Sequence, residues 1–352
     1  MNEKLKVVDI FAGIGGLSYG FDINELFQIV FANDIDKKAA NGYHLNYKKT
    51  DIFDCDISTI YKEDVLKYGN IDILLGGPPC QSYSTLGKRQ IDDRANLFLE
   101  YLRILSILKP KLFIFENVPG LLSMQSGNLF KKIINLFFKL GYTVDYKILN
   151  AAEYGVPQIR ERVIIVGNNL NKKFFFPKPT HSSFVSLKDA IGDLPSIASG
   201  ENGNDKSYIY EANNNFLRFV RKSNVISEHV SPKNNLKLIE IMKLLKDGQT
   251  KDDLPENIRP KSGYSNTYAK MWWNAPAPTI TRNFATPSSS RCIHPRDSRA
   301  LTIREGARLQ SFPDDYIFFG NDSDKRLQIG NAVPPLLSIA LAKSVSNYFM
   351  GE

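Results

Sequence analysis

One cysteine and one glutamate stand at points of this sequence where side chains often carry out chemistry. Cys80 lies in the stiff loop GGPPCQSYS, residues 76–84, directly after an apolar run. A thiol is a good nucleophile as a thiolate, which an electropositive loop beside a helix start favours. Glu116, in FENV, ends the next apolar run. If both runs are neighbouring parallel strands, one edge of the sheet presents a nucleophile and an acid together.

Two arginines complete this candidate set. Arg160 and Arg162 stand two residues apart in QIRERV, at the start of another apolar run, so a strand would point both to one side. A guanidinium can hold the charge that develops when a nucleophile adds to an electron-poor ring and an acid protonates it. Each residue also has a plain structural interpretation, with Cys80 as a small buried residue, Glu116 as a helix cap and the arginines as surface ion pairs.

The first candidate strand ends in a glycine turn. VVDIFAGIGGLSYGF, residues 7–21, is typical of a strand, a turn and a helix start, where a ligand can approach the backbone. Ser18 stands where a nicotinamide-binding fingerprint would have its third glycine, so this is not a clean dinucleotide loop. Asp34 follows about twenty residues later, where an acid can hydrogen-bond ribose hydroxyls. The pattern favours a nucleoside-cofactor site over glycines that serve only tight packing.

These residues need a sheet to position them, and the first ~170 residues alternate apolar runs with helical periods. The alternation predicts an α/β fold with a doubly wound, mostly parallel sheet. It stops near FFFPKPTHSS, residues 174–183, and a segment rich in Asn, Ser, Gly and Pro follows. We therefore predict one domain from residues 1–175 plus 318–352, and a smaller irregular domain from residues 176–317. Strands are predicted at 6–12, 27–34, 70–77, 111–118, 142–149 and 162–168, and helices at 94–108, 128–140, 301–312 and 331–349.

Charge and cysteine content narrow the class of protein. The 352 residues carry a net charge of +8. Residues 259–308 contain nine lysines and arginines but two acidic residues. This clustering favours a phosphate-tracking surface over a plain solvated basic face. Three scattered cysteines predict neither a disulfide framework nor a zinc site, and indicate a reducing, intracellular location. The four histidines lack metal-ligand spacing, and no apolar run has the length of a membrane span.

Six segments agree in type, order and spacing with one known motif series. They resemble the cytosine-C5 DNA methyltransferases, in particular the bacterial enzymes of type II restriction–modification systems, over about residues 9–168 and 299–340. Between these regions only PAPTITRNFATPSSSRCIHP, residues 276–295, matches. The resemblance implies a Rossmann-like domain that binds S-adenosylmethionine, and a target recognition domain at residues 176–317. The segments are DIFAGIGG, GGPPCQSYS, FENV, QIRERV, LTIREGARLQSFP and QIGNAVPP.

The resemblance also implies roles around the cofactor. Phe11 would stack near S-adenosylmethionine, Asp34 would hold its ribose, and Asp56 with Ile57 would meet the adenine. Ile35 occupies a position where the family often has a larger packing residue, which would weaken stacking on the adenine. The glycines of the turn would line the amino-acid end of the cofactor. The implied cofactor-binding residues are Phe11, Gly13, Gly15, Gly16, Asp34, Ile35, Asp56, Ile57, Pro78 and Asn331.

For catalysis the resemblance implies a covalent route. Cys80 would add to C6 of a cytosine, Glu116 would support protonation at N3, and Arg162 with Arg160 would hold the base and its charge. C5 would then take the methyl group, lose its proton, and release Cys80 by elimination. Since C6 cannot be reached inside a duplex, the cytosine must be flipped out.

Contacts to DNA are expected from two segments. The loop at residues 82–98 is predicted to close over the DNA, with Gly87 as its flexible point, and Asn331 is predicted to buttress the catalytic loop. In the recognition domain the arginines suit guanine and phosphate alike, while Trp272 and Trp273 are expected in a local core. The predicted DNA-contacting residues are Ser84, Lys88, Arg89, Thr281, Arg282 and Arg291.

The expected partner is double-stranded DNA, with a cognate restriction endonuclease acting separately, and the expected location is the cytoplasm of a bacterium or of a phage-infected cell. A monomer without membrane attachment is predicted. Transfer RNA is an alternative substrate, disfavoured because the Cys-Phe-Thr element typical of that branch is missing from the target region. A catalytically silent DNA-binding relative is disfavoured by the presence of Cys80 and Glu116, and a nicotinamide dehydrogenase by Ser18.

Overall fold

The structure, a computed structural model, describes residues 3–79, 96–261 and 264–351. The chain divides into two compact units. The first unit comprises Met1–Asn150, Glu161–Lys178 and Leu337–Glu352, and the second comprises Ala151–Arg160 and Pro179–Leu336.

These boundaries differ from the predicted domains mainly at two places. Residues 151–160 and 318–336 lie in the second unit, although the sequence placed them in the first domain. Local pairing gives the reason for residues 151–160, since Gln158 forms a parallel bridge with Ala277. The assignment of a function to each domain stays a prediction.

Short apolar runs rich in β-branched and aromatic residues form the strands of the first unit. Most of them carry buried residues on both faces, as expected for a sheet covered by helices. The strand Asp51–Phe53 was not predicted, because three residues are too few to show a pattern. The described strands of this sheet are β1 (Leu5–Ile10), β2 (Phe27–Asn33), β3 (Asp51–Phe53), β4 (Ile73–Gly76), β5 (Leu112–Asn117), β6 (Thr143–Asn150) and β7 (Glu161–Asn168).

Within the described residues the sheet has the order β3-β2-β1-β4-β5-β7-β6. Strand β1 pairs in parallel with β2 and β4, and β4 with β5, whereas β7 runs antiparallel to both β5 and β6. The strand order reverses between β1 and β4, so the carboxyl ends of these two strands border a topological switch point, where ligands of such sheets bind. The predicted α/β fold with a mostly parallel, doubly wound sheet is confirmed.

Each of the four predicted helices has a counterpart among the described helices, with one shift at the end of the chain, and the remaining helices had no predicted bounds. The last helix was predicted from residue 331, but it begins at Pro335, because Ala332 is extended and ends the preceding helix. Within the described residues, no helix has the length and apolar character needed to cross a membrane. The helices are α1 (Tyr19–Asp22), α2 (Lys37–Asn46), α3 (Lys62–Leu66), α4 (Asn96–Leu108), α5 (Asn128–Lys139), α6 (Leu187–Ile191), α7 (Asn215–Val220), α8 (Leu236–Leu244), α9 (Ile303–Leu309), α10 (Asp322–Asn331) and α11 (Pro335–Met350).

An aromatic core holds β5 against α4 and α5. Phe98 and Tyr101 of α4 lie 5.8 and 6.3 Å, between ring centroids, from Phe137 of α5. Phe113 of β5 lies 4.5 Å from the same ring. All four side chains are buried, and such ring pairs contribute about 0.5–1.5 kcal/mol each beyond their buried area. The core therefore fixes the strand whose end carries Glu116.

The start of helix α11 is bonded to the region that follows the glycine turn. The Ser338 hydroxyl donates to the Leu17 carbonyl and accepts from the Gly20 amide at 2.8 Å. A Cβ atom on Gly20 would lie 2.4 Å from the Ser338 carbonyl carbon, so only glycine admits this backbone contact. Helix α11 therefore packs on the first unit, as the sequence predicted.

The second unit has little sheet structure and is built around buried ion pairs. Its described strands, β8 (Ala269–Lys270) and β9 (Arg291–Ile293), form a short parallel pair. Arg308 of α9 is fully buried between Asp193 and Asp314, with 2.7 Å from its Nη2 to Asp314 Oδ2. Arg299 binds Glu305, which also caps the start of α9. Pairs of this kind cost several kcal/mol when one partner is removed, so they hold the irregular segments together.

Candidate active site

The acid and one arginine of the predicted set meet at the carboxyl end of β5. Arg162 Nε donates to Glu116 Oε1 at 2.8 Å, and both side chains are 13% exposed. Arg162 stands near the start of β7, the antiparallel neighbour of β5, so the ladder brings the two side chains together. The pair presents a carboxyl group and a guanidinium side by side at the sheet edge.

The backbone leading toward Cys80 is fitted closely to this pair. A Cβ atom on Gly77 would lie 3.0 Å from Glu116 Oε2, so glycine leaves room for the carboxylate. The Asn117 side-chain amide donates to the Pro78 carbonyl at 2.9 Å, and its oxygen accepts from the Val118 amide at 2.9 Å. The residue after Glu116 therefore tethers the segment that ends at Cys80.

Cys80 itself, with Ser84, Gly87, Lys88 and Arg89, lies outside the described residues. The predictions for these residues stay predictions. Their described neighbours, Gly77 to Pro79 on one side and α4 on the other, place both ends of the segment in the first unit.

The glycine turn after β1 has the conformation of a ligand-binding loop. Phe11, Gly13 and Gly15 have positive φ angles of 56°, 56° and 90°, a region that favours glycine and that strains a phenylalanine. A Cβ atom on Gly13 would meet no atom within 4 Å, so open space lies beside this glycine. Such a turn offers backbone groups and room to a ligand at the switch point.

Asp34 closes the turn from the side of β2. Its Oδ2 accepts from the Gly13 amide at 2.7 Å and its Oδ1 from the Asp36 amide at 2.8 Å. Burial raises the pKa of this carboxyl group, and the two amide bonds oppose the shift. Asp36 in turn caps α2 through the Lys38 amide. The acid predicted to hold the ribose is thus fixed to the loop predicted to hold the amino-acid end.

The end of β3 brings two further predicted residues alongside. Asn33 donates to the carbonyl groups of Phe53 and Cys55 at 2.8 and 2.9 Å, which holds the extended chain after β3 against β2. Asp56 is exposed, and its carboxylate accepts from the Ser58 amide. Ile57 is buried in the core of the first unit, so it can offer a ligand its backbone rather than its side chain.

Ile35, which follows Asp34, is an exposed apolar side chain at the same edge of the sheet. It is 66% exposed, so the position predicted to pack on the adenine has an apolar surface available. Pro78, at the end of the β4 segment, is buried and carries the carbonyl group bound by Asn117.

Arg160 does not join the Glu116 pair in the way that the two-residue spacing predicted. It is 1% exposed in the second unit, and its Nη atoms donate at 3.0 Å to the carbonyl groups of Ile280, Gly330 and Ala332. Its guanidinium thus ties together three carbonyl groups from two separate segments, at Ile280 and at Gly330–Ala332. We assign Arg160 to holding these segments, and Arg162 alone to the pair with Glu116.

Gln158 is a buried residue of the same motif that the sequence reasoning missed. Its amide donates to the Leu309 carbonyl at 2.6 Å and to Gln310 at 2.8 Å, and its oxygen accepts from the Ile280 amide at 2.9 Å. The motif QIRERV therefore organises the second unit through Gln158 and the sheet edge of the first unit through Arg162. The alternation of polar residues in the motif was the available signal.

Of the predicted DNA-contacting residues in the second unit, two are exposed, whereas Arg291 is hydrogen-bonded within the unit. Thr281 and Arg282 are exposed, and their backbone packs on Gly330, where a Cβ atom would lie 2.2 Å from the Arg282 nitrogen. Asn331, predicted to buttress the catalytic loop, is exposed at the last residue of α10. The close glycine contact keeps Thr281 and Arg282 beside the end of α10.

Arg291 is engaged inside the second unit. Its Nη1 donates to the carbonyl groups of Gly248 and Lys270 at 2.8 and 2.7 Å, and its guanidinium lies 4.3 Å from the Trp272 ring centroid. Trp272 is 41% exposed, so the prediction of a core position is wrong for this residue. Because these contacts occupy Arg291, we assign it to the fold of the unit and not to a base edge.

Comparison with known proteins identifies the family. The model of the C-5 cytosine-specific DNA methylase family matches residues 5–347. The chain belongs to this family. The resemblance drawn from the six motifs is therefore confirmed, and the protein is a DNA cytosine-5 methyltransferase whose methyl donor is S-adenosylmethionine.

Curated relatives agree over nearly the whole chain. The type II methyltransferase M1.HphI of Haemophilus parahaemolyticus is 34% identical, covering 97% of this chain and 87% of its own length. The type II methyltransferase M.DdeI of Desulfomicrobium norvegicum is 37% identical, covering 98% and 89%. A solved structure of a proposed DNA modification methyltransferase encoded in an Escherichia coli prophage has a TM-score of 0.81 at 27% identity, covering 99% of this chain and 100% of that chain.

The glycine turn fits the family's cofactor. The open space at Gly13 and the positive φ angles of Phe11, Gly13 and Gly15 form a cradle that a side chain would fill. Asp34 can accept hydrogen bonds from ribose hydroxyls where the cradle meets β2, and Ile35 offers an apolar surface beside it. These residues suit a nucleoside joined to an amino acid.

Proposed function

We propose that this methyltransferase modifies C5 of a flipped-out cytosine within a short, specific double-stranded DNA sequence, through a covalent bond between Cys80 and C6. The observation that carries the proposal is the Glu116–Arg162 pair, held 2.8 Å apart beside the Gly77–Pro78 segment. A carboxyl group and a guanidinium at this place suit a ring that gains electron density when a nucleophile adds.

The chemistry divides among three side chains. Cys80 attacks C6 as a thiolate, which forms a carbon–sulfur bond and leaves C5 nucleophilic. Glu116 supports protonation of the cytosine at N3. Arg162 holds the base and balances the charge of the Glu116 carboxylate. S-adenosylmethionine supplies an electrophilic methyl group. C5 takes this methyl group, and loss of the C5 proton to a base, return of the N3 proton to Glu116 and cleavage of the carbon–sulfur bond then restore the aromatic ring and the thiolate.

The backbone of Gly77 and Pro78, before Cys80, is held in place, which gives the attack on C6 a defined geometry. Asn117 fixes the Pro78 carbonyl, and Gly77 lets the Glu116 carboxylate stand against the same backbone. Holding reacting groups in one geometry removes much of the entropic barrier of a two-molecule reaction. The stiff sequence around Cys80 therefore serves to bring one sulfur to one ring atom.

The second unit is proposed to choose the target sequence. Exposed Thr281 and Arg282 are its candidate DNA contacts, and the segment 82–98 with Ser84, Lys88 and Arg89 is proposed to close over the DNA. The names of the curated relatives support a role in a type II restriction–modification system, beside a separate endonuclease. A monomer in the cytoplasm, where DNA is accessible, completes the proposal.

Bisulfite sequencing tests the proposal directly. DNA is taken from a methylation-free bacterial host that expresses the wild-type chain, Cys80→Ser, or Cys55→Ser as a matched control. Cys55 is half-buried outside the proposed catalytic segment, so its replacement should leave modification intact. We expect protected cytosines within one short recurring sequence for wild type and Cys55→Ser, and none for Cys80→Ser.

Two results would overturn parts of the proposal. Protection that persists in Cys80→Ser would remove Cys80 as the nucleophile. Absence of protected cytosines with soluble wild-type protein that binds S-adenosylmethionine would refute the DNA substrate, and transfer RNA from the same cells would then be tested for methylation.

A further inference from the structure

Behind the glycine turn lies a chain of buried hydroxyl groups that the proposed chemistry does not use. The Ser18 hydroxyl donates to Asp9 Oδ2 at 2.6 Å, and the Tyr43 hydroxyl lies 2.8 Å from the Ser18 oxygen. Asp9, Ser18 and Tyr43 are each at most 1% exposed. Since buried polar groups cost free energy unless bonded, this chain is a fixed arrangement within the first unit.

A second tyrosine of the same helical segment reaches the turn itself. The Tyr47 hydroxyl donates to the Gly15 carbonyl at 2.6 Å, and the side chain is 3% exposed. Tyr43 lies one helical turn earlier, and the two ring centroids are 4.4 Å apart. Tyr43 in α2 therefore places its hydroxyl at Ser18, just after the turn. Tyr47, which follows α2, places its hydroxyl at the turn itself.

The turn is packed against these rings as closely as a glycine allows. A Cβ atom on Gly15 would lie 2.3 Å from Tyr47 Cε2 and 3.0 Å from Tyr43 Cδ2. Gly13, two residues earlier, has open space beside it. One face of the turn is therefore pressed on the tyrosines, while the other remains open to a ligand.

The same helix begins at the other end of the cofactor cradle. Its cap, Asp36, follows Asp34, which binds the Gly13 amide. The turn is consequently bonded at two points by residues that flank α2. Asp34 stands just before the helix begins, and Tyr47 stands just after it ends. Movement of this helix would displace both ends of the cradle together.

We infer that Ser18, Tyr43 and Tyr47 are positioning residues for S-adenosylmethionine, which keep the glycine turn in its binding conformation before the cofactor arrives. They act through the turn and not by touching the cofactor. A turn with several positive φ angles has competing conformations, and a ligand that must first order it binds more weakly in proportion. The inference needs only the family's cofactor and is independent of the proposed DNA target and of Cys80.

Tyr47→Phe is the sharpest test, because it removes the hydroxyl and keeps the ring that packs on Gly15. Isothermal titration of S-adenosylmethionine into the DNA-free protein should show a dissociation constant raised about 5-fold, the usual weight of one such hydrogen bond. Ser18→Ala should have an effect of similar size, and the double variant a larger one. Tyr146→Phe, an exposed position on edge strand β6, is the matched control and should bind as wild type does.

Two readouts separate positioning from mere stability. Hydrogen exchange of the amides of residues 13–17 should be faster in cofactor-free Tyr47→Phe than in wild type, and saturating cofactor should restore its protection. Methyl transfer should show a raised KM for the cofactor with kcat unchanged at saturation. A dissociation constant within twofold of wild type, or exchange in the turn that does not change, would overturn the inference, whatever the DNA substrate proves to be.

Discussion

Replacing Gly77 with alanine is expected to disturb the chemistry while leaving the fold almost intact. The new methyl group would lie 3.0 Å from Glu116 Oε2, closer than an ordinary carbon–oxygen contact. The next nearest atoms, the Glu116 carbonyl oxygen and Cβ, would lie at 3.5 and 3.9 Å, which are normal contacts. The strain therefore falls on the end of one flexible side chain, the carboxylate assigned to the reaction.

The size of the effect follows from how far the carboxylate must move. A few tenths of an ångström relieve the contact, but Glu116 Oε1 is bonded at 2.8 Å to Arg162 Nε, so the movement also loosens that bond. Misplacement of a reacting group by ~1 Å can cost ~100-fold in rate, and we expect about a 10-fold lower kcat. Because the side chain can yield, the free energy of unfolding should fall by less than about 1 kcal/mol, below the usual range for overpacking.

The assay is incorporation of tritiated methyl groups into DNA from a methylation-free host, with the melting temperature and the dissociation constant of S-adenosylmethionine measured in parallel. Gly120→Ala is the matched control, since its Cβ would lie 4.0 Å from the nearest atom, Val118 Cγ2, just beyond the same strand β5. A Gly77→Ala rate equal to that of Gly120→Ala would refute the reasoning. Equal losses in rate and in melting temperature would refute it too, because the strain would then lie in the fold.

Two further predictions concern groups away from this pair. Burial raises the pKa of Asp9 to about 7 from 3.8, with the charge of Asp34 adding to the shift; the folded protein thus holds a proton that the unfolded chain has lost, and stability from this group declines as pH rises from about 4 to 7. In urea unfolding without cofactor, Asp9→Asn should gain on wild type across that window by up to about 4 kcal/mol, and parallel pH curves for the two proteins would contradict this. Arg291→Ala should lower the free energy of unfolding by about 2 kcal/mol through its lost carbonyl bonds while DNA affinity, measured by fluorescence anisotropy, falls less than for Arg282→Ala; the reverse order would return Arg291 to the DNA interface.

The sheet was predictable from sequence to the extent that burial leaves a mark on composition. Runs such as KVVDIF and KLFIFE are apolar because both faces of their strands are covered. The direction of a strand is not visible in its composition. RVIIVGN has the same apolar composition as the parallel strands, yet β7 runs antiparallel to both β5 and β6. Strand β3 escaped for a different reason, since the three residues Asp51–Phe53 are only partly buried and show no period.

The candidate site divides in the same way. Glu116 lies at the carboxyl end of β5 and the turn at Gly13 follows β1, so chain order alone places them at one edge of the sheet. The roles of Arg160 and Arg291 depend on carbonyl groups far along the chain, for example the Ile280 carbonyl that Arg160 binds across 120 positions. Every residue has a backbone carbonyl group, so the pattern of side chains in the sequence does not predict which carbonyl group an arginine will bind.

The bond between Gly20 and Ser338 has a consequence for how the enzyme is made. The two residues are separated by 318 positions, and the whole second unit is synthesised between them. At a synthesis rate of about 5–20 residues per second, the first residue waits roughly 15 to 60 seconds for its partner. During that interval the nascent chain carries the glycine turn without the helix that seats against Gly20. The first unit is therefore completed only after the whole second unit has been synthesised.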